Sequence, residues 1–295
     1  MSHRDAAAAV PPILEHAAGL LSRYDVLVCD VWGVVHDGRR AFDAAGDALA
    51  RFRTGGGSVV LLSNAPLPCE GVSRLLAEKC VRRDAWDAIV SSGDLVRAHV
   101  AGHGLRRLHH LGPARDLMLF ETMAARLVGM DEADAIVCTG LADERCETAA
   151  DYEPLLRRAL TRGLPLICAN PDQVVDVGGV LFPCAGAIAR IYEDMGGPVH
   201  WAGKPYAPAY EAAFRVAASL RPSPLDRHRV LAVGDSLATD LAGAVGYGLD
   251  FLLIANGIHR AELMPSGTTV DERALAKLLM DAPARPVAAA AELCW

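Results

Sequence analysis

The chain has 295 residues, of which 52% are hydrophobic and 22% charged, and a formal net charge of −7. This composition rules out an intrinsically disordered chain and provides enough apolar residues for two domains. The negative charge argues against a nucleic-acid partner, since phosphate backbones are held mainly by Lys and Arg patches, and no apolar run reaches the roughly eighteen residues of a membrane span.

The N-terminal stretch MSHRDAAAAVPPILEHAAGLL is interrupted by Pro11, Pro12, Glu15 and His16. It therefore predicts no secretory signal and a cytoplasmic location. Apolar runs bounded by turn residues then alternate with helical periodicities, the pattern of βαβ units around a mainly parallel sheet. A strand at Val26 to Cys29 runs into Asp30, and a helix follows near Ala44 to Arg53. A second strand, Ser58 to Leu62, ends at Ser63; a helix near Gly71 to Lys79 and a strand at Ala88 to Val90 come next. A separate series then begins, with strands at Arg107 to His110, Ala135 to Cys138 and Leu166 to Ala169 and helices near Glu153 to Arg162 and Ala185 to Met195. The first series resumes with a helix at Ala207 to Leu220, a strand at Arg229 to Val233 ending in Asp235, a helix near Ala238 to Gly246 and a strand at Phe251 to Ile254.

The expected fold is thus α/β: a Rossmann-like core from 1–94 and 200–295, interrupted by an α/β insert at 95–199 of ordinary domain size. No internal repeat is visible. The eight cysteines (Cys29, Cys69, Cys80, Cys138, Cys146, Cys168, Cys184 and Cys294) contain no C-x-x-C pair and are expected to be reduced, without disulfides or zinc.

Four short stretches carry the chemistry: Asp30 after the first strand, Ser63 with Asn64 after the second, Lys204 in AGKP, and Asp235 with Asp240 in VGDSLATD. In open parallel sheets the carboxyl ends of strands form the ligand crevice, where such side chains could converge. Each stretch alone is weak, but together and in this order they resemble the four motifs of the haloacid dehalogenase superfamily of phosphotransferring hydrolases. The stretches LLSNAP, SSGD, ANPDQV and AGAIARIYEDMGGPVHWAGKP extend the resemblance over about Tyr24 to Gly257. They make it similar to class IIA, the NagD-like and p-nitrophenyl phosphatase-like group with a C2-type α/β cap between the second and third motifs.

The resemblance implies a Mg²⁺-dependent hydrolase of a small phosphorylated metabolite, sugar or nucleotide phosphate-like, working through an aspartyl phosphate. Asp30 would be the nucleophile, since a carboxylate held in line with phosphorus splits one hard displacement into two. The metal site would use Asp30, Asp235, the main-chain carbonyl of Trp32 and Asp240, the last orienting the metal shell or Lys204. Ser63, Asn64 and Lys204 would contact phosphoryl oxygens, with Lys204 placed where negative charge develops. Gly33 suits the tight turn after Asp30 and would join the phosphate-binding residues. Members with this cap often pair through it, so a homodimer is a further implication.

At residue 32 the chain departs from the family pattern, in which an aspartate two residues after the nucleophile protonates the leaving oxygen and then activates water. Indole N–H donates a hydrogen bond but does not ionise usefully near neutral pH. General acid–base assistance is worth ~10²–10⁴-fold, about 3–5 kcal/mol of barrier. Its loss is severe for alkyl phosphates and mild for phenolate, acyl or anhydride leaving groups. His36, Asp37 and Asp172 are candidate substitutes; His36 and Asp37 lie in an HDG segment better read as turn chemistry, and Asp172 ends an Asn-Pro-Asp turn. The alternatives are a catalytically weak protein that binds a phosphorylated ligand, a hydrolase specialised for activated leaving groups, and a dehalogenase. The absence of lysine between Asp94 and His200 argues against a phosphonatase that forms its Schiff base in the insert. His99, His103, His109 and His110 lack metal-ligand spacing and read as surface or core residues.

Overall fold

The computed structural model of the protein describes residues 10–295; the first nine residues of the stretch read as lacking a secretory signal lie outside it. Two runs decide the architecture. VLVC at Val26–Cys29 and SVVLLS at Ser58–Ser63 are buried at every position, which suits strands covered on both faces. In chain order the strands among the described residues are β1 (Ile13–Leu14), β2 (Val26–Cys29), β3 (Ser58–Ser63), β4 (Ala88–Ser91), β5 (Arg107–Leu111), β6 (Arg126–Leu127), β7 (Ala135–Cys138), β8 (Leu166–Cys168), β9 (Val174–Asp176), β10 (Leu181–Pro183), β11 (Val199–Trp201), β12 (Val230–Gly234), β13 (Asp250–Ile254) and β14 (Ala288–Ala290). The expected core strands all form, with ends displaced by about a residue.

The chain divides into two compact units. One takes the chain up to Leu62, Leu76–Ile89 and Tyr210–Trp295; the other takes Ser63–Leu75 and Val90–Ala209. The larger sheet has the order β1-β14-β13-β12-β2-β3-β4, and β2 pairs in parallel with both β3 and β12. From β2 the chain builds outward through β3 and β4, then returns to the other side of β2 with β12. This reversal makes the β2/β12 junction the switch point at which a parallel sheet opens a crevice beyond its carboxyl ends. Cys29 is level with Val233 there, so Asp30 leaves its strand level with Gly234 and Asp235 follows one residue on.

The second unit holds a five-stranded sheet, β11-β8-β7-β5-β6, whose strands pair in parallel. Alternate residues feed opposite faces. Ile136, Cys138, Leu166 and Cys168 pack with Leu156, Ile188 and the fully buried Tyr192; Ala135, Val137 and Ile167 pack with Val96, Val100 and Leu119. An antiparallel ribbon of β9 and β10 completes the unit. The expected helix start at Ala238 is instead a π-helical turn over Leu237–Leu241, followed by a helix at Ala242–Tyr247. Asp240 N–H and Leu241 N–H both donate to the Ser236 carbonyl, widening the turn and keeping Asp240 buried. No helix is long and apolar enough to cross a membrane, among the described residues.

Candidate active site

The first cluster is made by strand ends. Asp30 N–H donates to the Val233 carbonyl (2.8 Å), locking the start of its loop to β12. Asp235 follows β12, and its Oδ2 accepts the Ile258 N–H at 2.7 Å. Asp240 Oδ2 accepts the Ser236 N–H at 3.1 Å, while its carbonyl accepts the Tyr210 hydroxyl at 2.9 Å. Asp30, Asp235 and Asp240 are all buried and offer carboxylate oxygens within 4.8 Å of one another. Carboxylates so close call for positive charge, and an all-oxygen donor set fits a hard divalent cation such as Mg²⁺. Two glycines shape the space. A Cβ on Gly33, whose φ is +80°, would lie 2.1 Å from Asp235 Oδ2, and one on Gly257 would lie 1.9 Å from the same oxygen.

The loop after Asp30 is a tight fold: Gly33 N–H donates to the His36 carbonyl (2.8 Å) and Val35 N–H to that of Val31 (2.9 Å). The Trp32 ring meets His36 edge-on, with centroids 4.9 Å apart, and also covers Gly38, where a Cβ would lie 2.4 Å from the indole. His36 is fully buried. Its Nδ1 accepts the Gly38 N–H at 2.9 Å, which leaves the proton on Nε2, an atom with no hydrogen-bond partner. Burial, assisted by the Lys79 charge and opposed by Asp37, pulls the His36 pKa down to about 4. The ring is therefore neutral and enclosed at neutral pH and cannot serve as a general acid. Asp37 Oδ1 accepts the N–H groups of Arg39 and Arg40, both at 2.8 Å. Burial works to raise its pKa, but these bonds and the Arg40 charge hold it below the ordinary value. Both side chains thus match the turn reading.

His36 gives a stability prediction. The unfolded ring takes up a proton below its ordinary value of 6.5, and the folded ring only near 4, so stability is present above 6.5 and lost as the pH falls toward 4. The His36 contribution is on the order of 3 kcal/mol. His99, also lowered to about 4 by burial and its histidine neighbours, acts in the same sense. Asp116, raised to about 6 by burial, acts oppositely, its stabilisation fading as the pH rises to 6. Urea titrations between pH 7 and 4 are expected to show a net fall in stability, and the fall is expected to be shallower in a His36→Asn variant.

The second cluster lies in the other unit. Ser63 closes β3, and its hydroxyl accepts the Ala65 N–H at 3.2 Å. Asn64 Oδ1 accepts the Lys204 N–H at 2.8 Å, and Nδ2 donates to Asp172 Oδ1 at 2.9 Å and to the Lys204 carbonyl at 3.2 Å. Lys204 is buried. Asp172 is held in its turn by its own N–H, which donates to Asn170 Oδ1 at 3.1 Å. Among the described residues the other group of potential metal ligands is Cys69, Glu70 and Asp94, where Asp94 Oδ2 accepts the Cys69 N–H and the Ser91 hydroxyl, both at 3.0 Å. The histidines engage one another or the chain: His99 stacks on His200 at 3.6 Å, and His110 Nε2 meets Thr139 Oγ1 at 2.9 Å.

Comparison with known proteins decides the family. A crystal structure of a haloacid dehalogenase-like hydrolase from Brucella suis 1330 is 41% identical, covers 95% of this chain and 100% of its own, and superposes with a TM-score of 0.84. This chain is a haloacid dehalogenase-like hydrolase. Family models described as haloacid dehalogenase-like hydrolase and HAD-hydrolase-like match residues 27–124 and 201–281. The p-nitrophenyl phosphatase of Archaeoglobus fulgidus is 19% identical, covering 91% of this chain and 96% of its own, with a TM-score of 0.70. NagD from E. coli K-12 is 20% identical with the same coverage and a TM-score of 0.64. Comparison with curated proteins returned no match.

The fold of this haloacid dehalogenase-like hydrolase is thus the NagD-like α/β one that the motif order implied. Asp30, Trp32, Gly33, Asp235 and Asp240 fall in the first unit, and Ser63, Asn64 and Lys204 in the second. Within the first, Asp30, Asp235 and Asp240 converge; within the second, Asn64 and Lys204 do. Sequence reasoning missed Gly257 and Ile258, which seat Asp235. The available signal was their place just beyond a core strand, at the same sheet edge as Asp30.

Proposed function

We propose that this hydrolase is a Mg²⁺-dependent phosphatase that forms an aspartyl phosphate on Asp30 and acts on a small phosphorylated metabolite with a good leaving group. The buried convergence of Asp30, Asp235 and Asp240 carries this reading. These carboxylates and the Trp32 carbonyl would hold Mg²⁺, which when bound supplies charge neutralisation for an anion approaching an anion. Asp30 attacks phosphorus through one carboxylate oxygen, and the leaving oxygen departs with its electron pair. The Ser63 hydroxyl and the Lys204 ammonium hold phosphoryl oxygens, Lys204 matching the charge that develops there. Neither His36 nor Asp37 is set to protonate the departing oxygen, which favours acyl, phenolate or anhydride leaving groups over alkoxides. Eight free cysteines suit a reducing cytoplasm.

Acetyl phosphate with Mg²⁺ is expected to release inorganic phosphate at a rate abolished by EDTA. Halide release that persists in EDTA, without phosphate turnover, would replace this reading by carbon–halogen hydrolysis. The metal site gives its own prediction. Mg²⁺ at about 100 times its Kd stabilises the folded state by about 2.7 kcal/mol, which moves the melting temperature by several degrees. In a Gly257→Ala variant the new methyl displaces Asp235, so that shift is expected to shrink or vanish in a thermal melt.

A further inference from the structure

Asparagine offers two N–H donors and one oxygen that accepts twice, and in Asn64 all four positions are filled. Oδ1 accepts from Lys204 N–H at 2.8 Å and from the Ser92 hydroxyl at 3.5 Å; Nδ2 donates to Asp172 Oδ1 at 2.9 Å and to the Lys204 carbonyl at 3.2 Å. One side chain therefore grips both the N–H and the carbonyl of Lys204, as a neighbouring strand would, and fixes the direction in which that residue leaves the backbone. The packing admits no slack. A Cβ on Gly203, the residue before the lysine, would stand 2.4 Å from Ser92 Oγ and 2.5 Å from Asn64 Oδ1. Asp172 determines which way the amide faces. A carboxylate only accepts, so it must meet Nδ2, and Oδ1 is then turned to the Lys204 N–H. A flipped amide would set oxygen against carboxylate and its donors against the Lys204 N–H.

We propose that Asn64 is a positioning residue, holding the main chain of Lys204 through its side-chain amide while Asp172 orients that amide. The inference rests on the reading of Lys204 as a phosphoryl contact and assigns the Asn64 side chain a place behind that contact rather than on the phosphate. It also makes Asp172 an acceptor for Asn64, not the acid that replaces the missing aspartate.

The test compares Asp172→Ala, Asp172→Asn, Asn64→Ala and the Asn64→Ala/Asp172→Ala pair on acetyl phosphate with Mg²⁺, with hydrogen exchange at the Lys204 amide read by NMR. A misplacement of about 1 Å can cost about 10²-fold, so Asp172→Ala and Asn64→Ala are expected to lower kcat/KM by at least about tenfold. Asp172→Asn keeps an acceptor oxygen and is expected to recover most of the rate. The double variant is expected to be no worse than Asn64→Ala, because both act through one path. Exchange at Lys204 is expected to quicken in Asp172→Ala and to stay slow in Asp172→Asn. Damage from Asp172→Asn equal to that from Asp172→Ala, losses that multiply in the double variant, or unchanged exchange in Asp172→Ala would each overturn the proposal. Were the wild type to turn over no phosphate, the phosphatase reading alone would fall, and the exchange rates would still decide the role of Asn64.

Discussion

Asp30→Asn is expected to remove hydrolysis while leaving the fold in place. The amide has the volume of the carboxylate, and the Asp30 N–H that ties this loop to Val233 is a backbone group, so the sheet edge keeps its geometry. An amide oxygen can still face a cation, but it is too poor a nucleophile to displace a leaving group from phosphorus. Loss of the nucleophile in an enzyme that works by covalent catalysis costs on the order of 10⁴–10⁶-fold. The measurement is phosphate release from acetyl phosphate, with a thermal melt of the same preparation. An inactive variant that melts with the wild type supports the assignment; a variant retaining a tenth of the activity places the nucleophile elsewhere.

Trp32→Asp is expected to raise activity, and unequally. An aspartate there could protonate the leaving oxygen and then take a proton from the attacking water, worth about 10²–10⁴-fold where the leaving group needs it. Alkyl phosphates are expected to gain most of this factor in kcat/KM, and acetyl phosphate almost none, because its leaving group departs unaided. On the proposed mechanism, water attack on a phosphorylated Asp30 would also lack help in the wild type, so a burst of product comparable to the enzyme concentration is expected before a slow steady state. The burst should disappear in Trp32→Asp. The substitution removes the indole that rests on Gly38 and His36, so some loss of melting temperature accompanies the gain. Equal gains on all substrates would contradict the assignment of the missing acid to residue 32.

The parts of this protein that were legible in its sequence are those governed by short-range pattern. VLVC before Asp30 and VLAVG before Asp235 are apolar on both faces and end in a carboxylate, so strand, strand end and functional residue are read together. One edge of the larger sheet was not legible. Residues Ile13–Leu14 and Ala288–Ala290 pair with each other, but strands this short, one of them alanine alone, carry no β signal. The β9–β10 ribbon did carry one, Gly178-Gly179 between two apolar runs, a recognised hairpin cue. Asn64 shows a deeper limit. As a residue type it can donate to phosphate or close an Asx turn, and only its contacts with Asp172 and Lys204, 108 and 140 residues away, show the amide already engaged.

The most direct test of the account is the dependence of wild-type kcat/KM on leaving-group pKa, measured with Mg²⁺ across acyl, aryl and alkyl phosphates. Attack by Asp30 without a general acid predicts a steep fall from acetyl phosphate through p-nitrophenyl phosphate to alkyl phosphates. A flat dependence, with alkyl and acyl phosphates turned over alike, would show that another group protonates the leaving oxygen and would contradict the role given to Trp32.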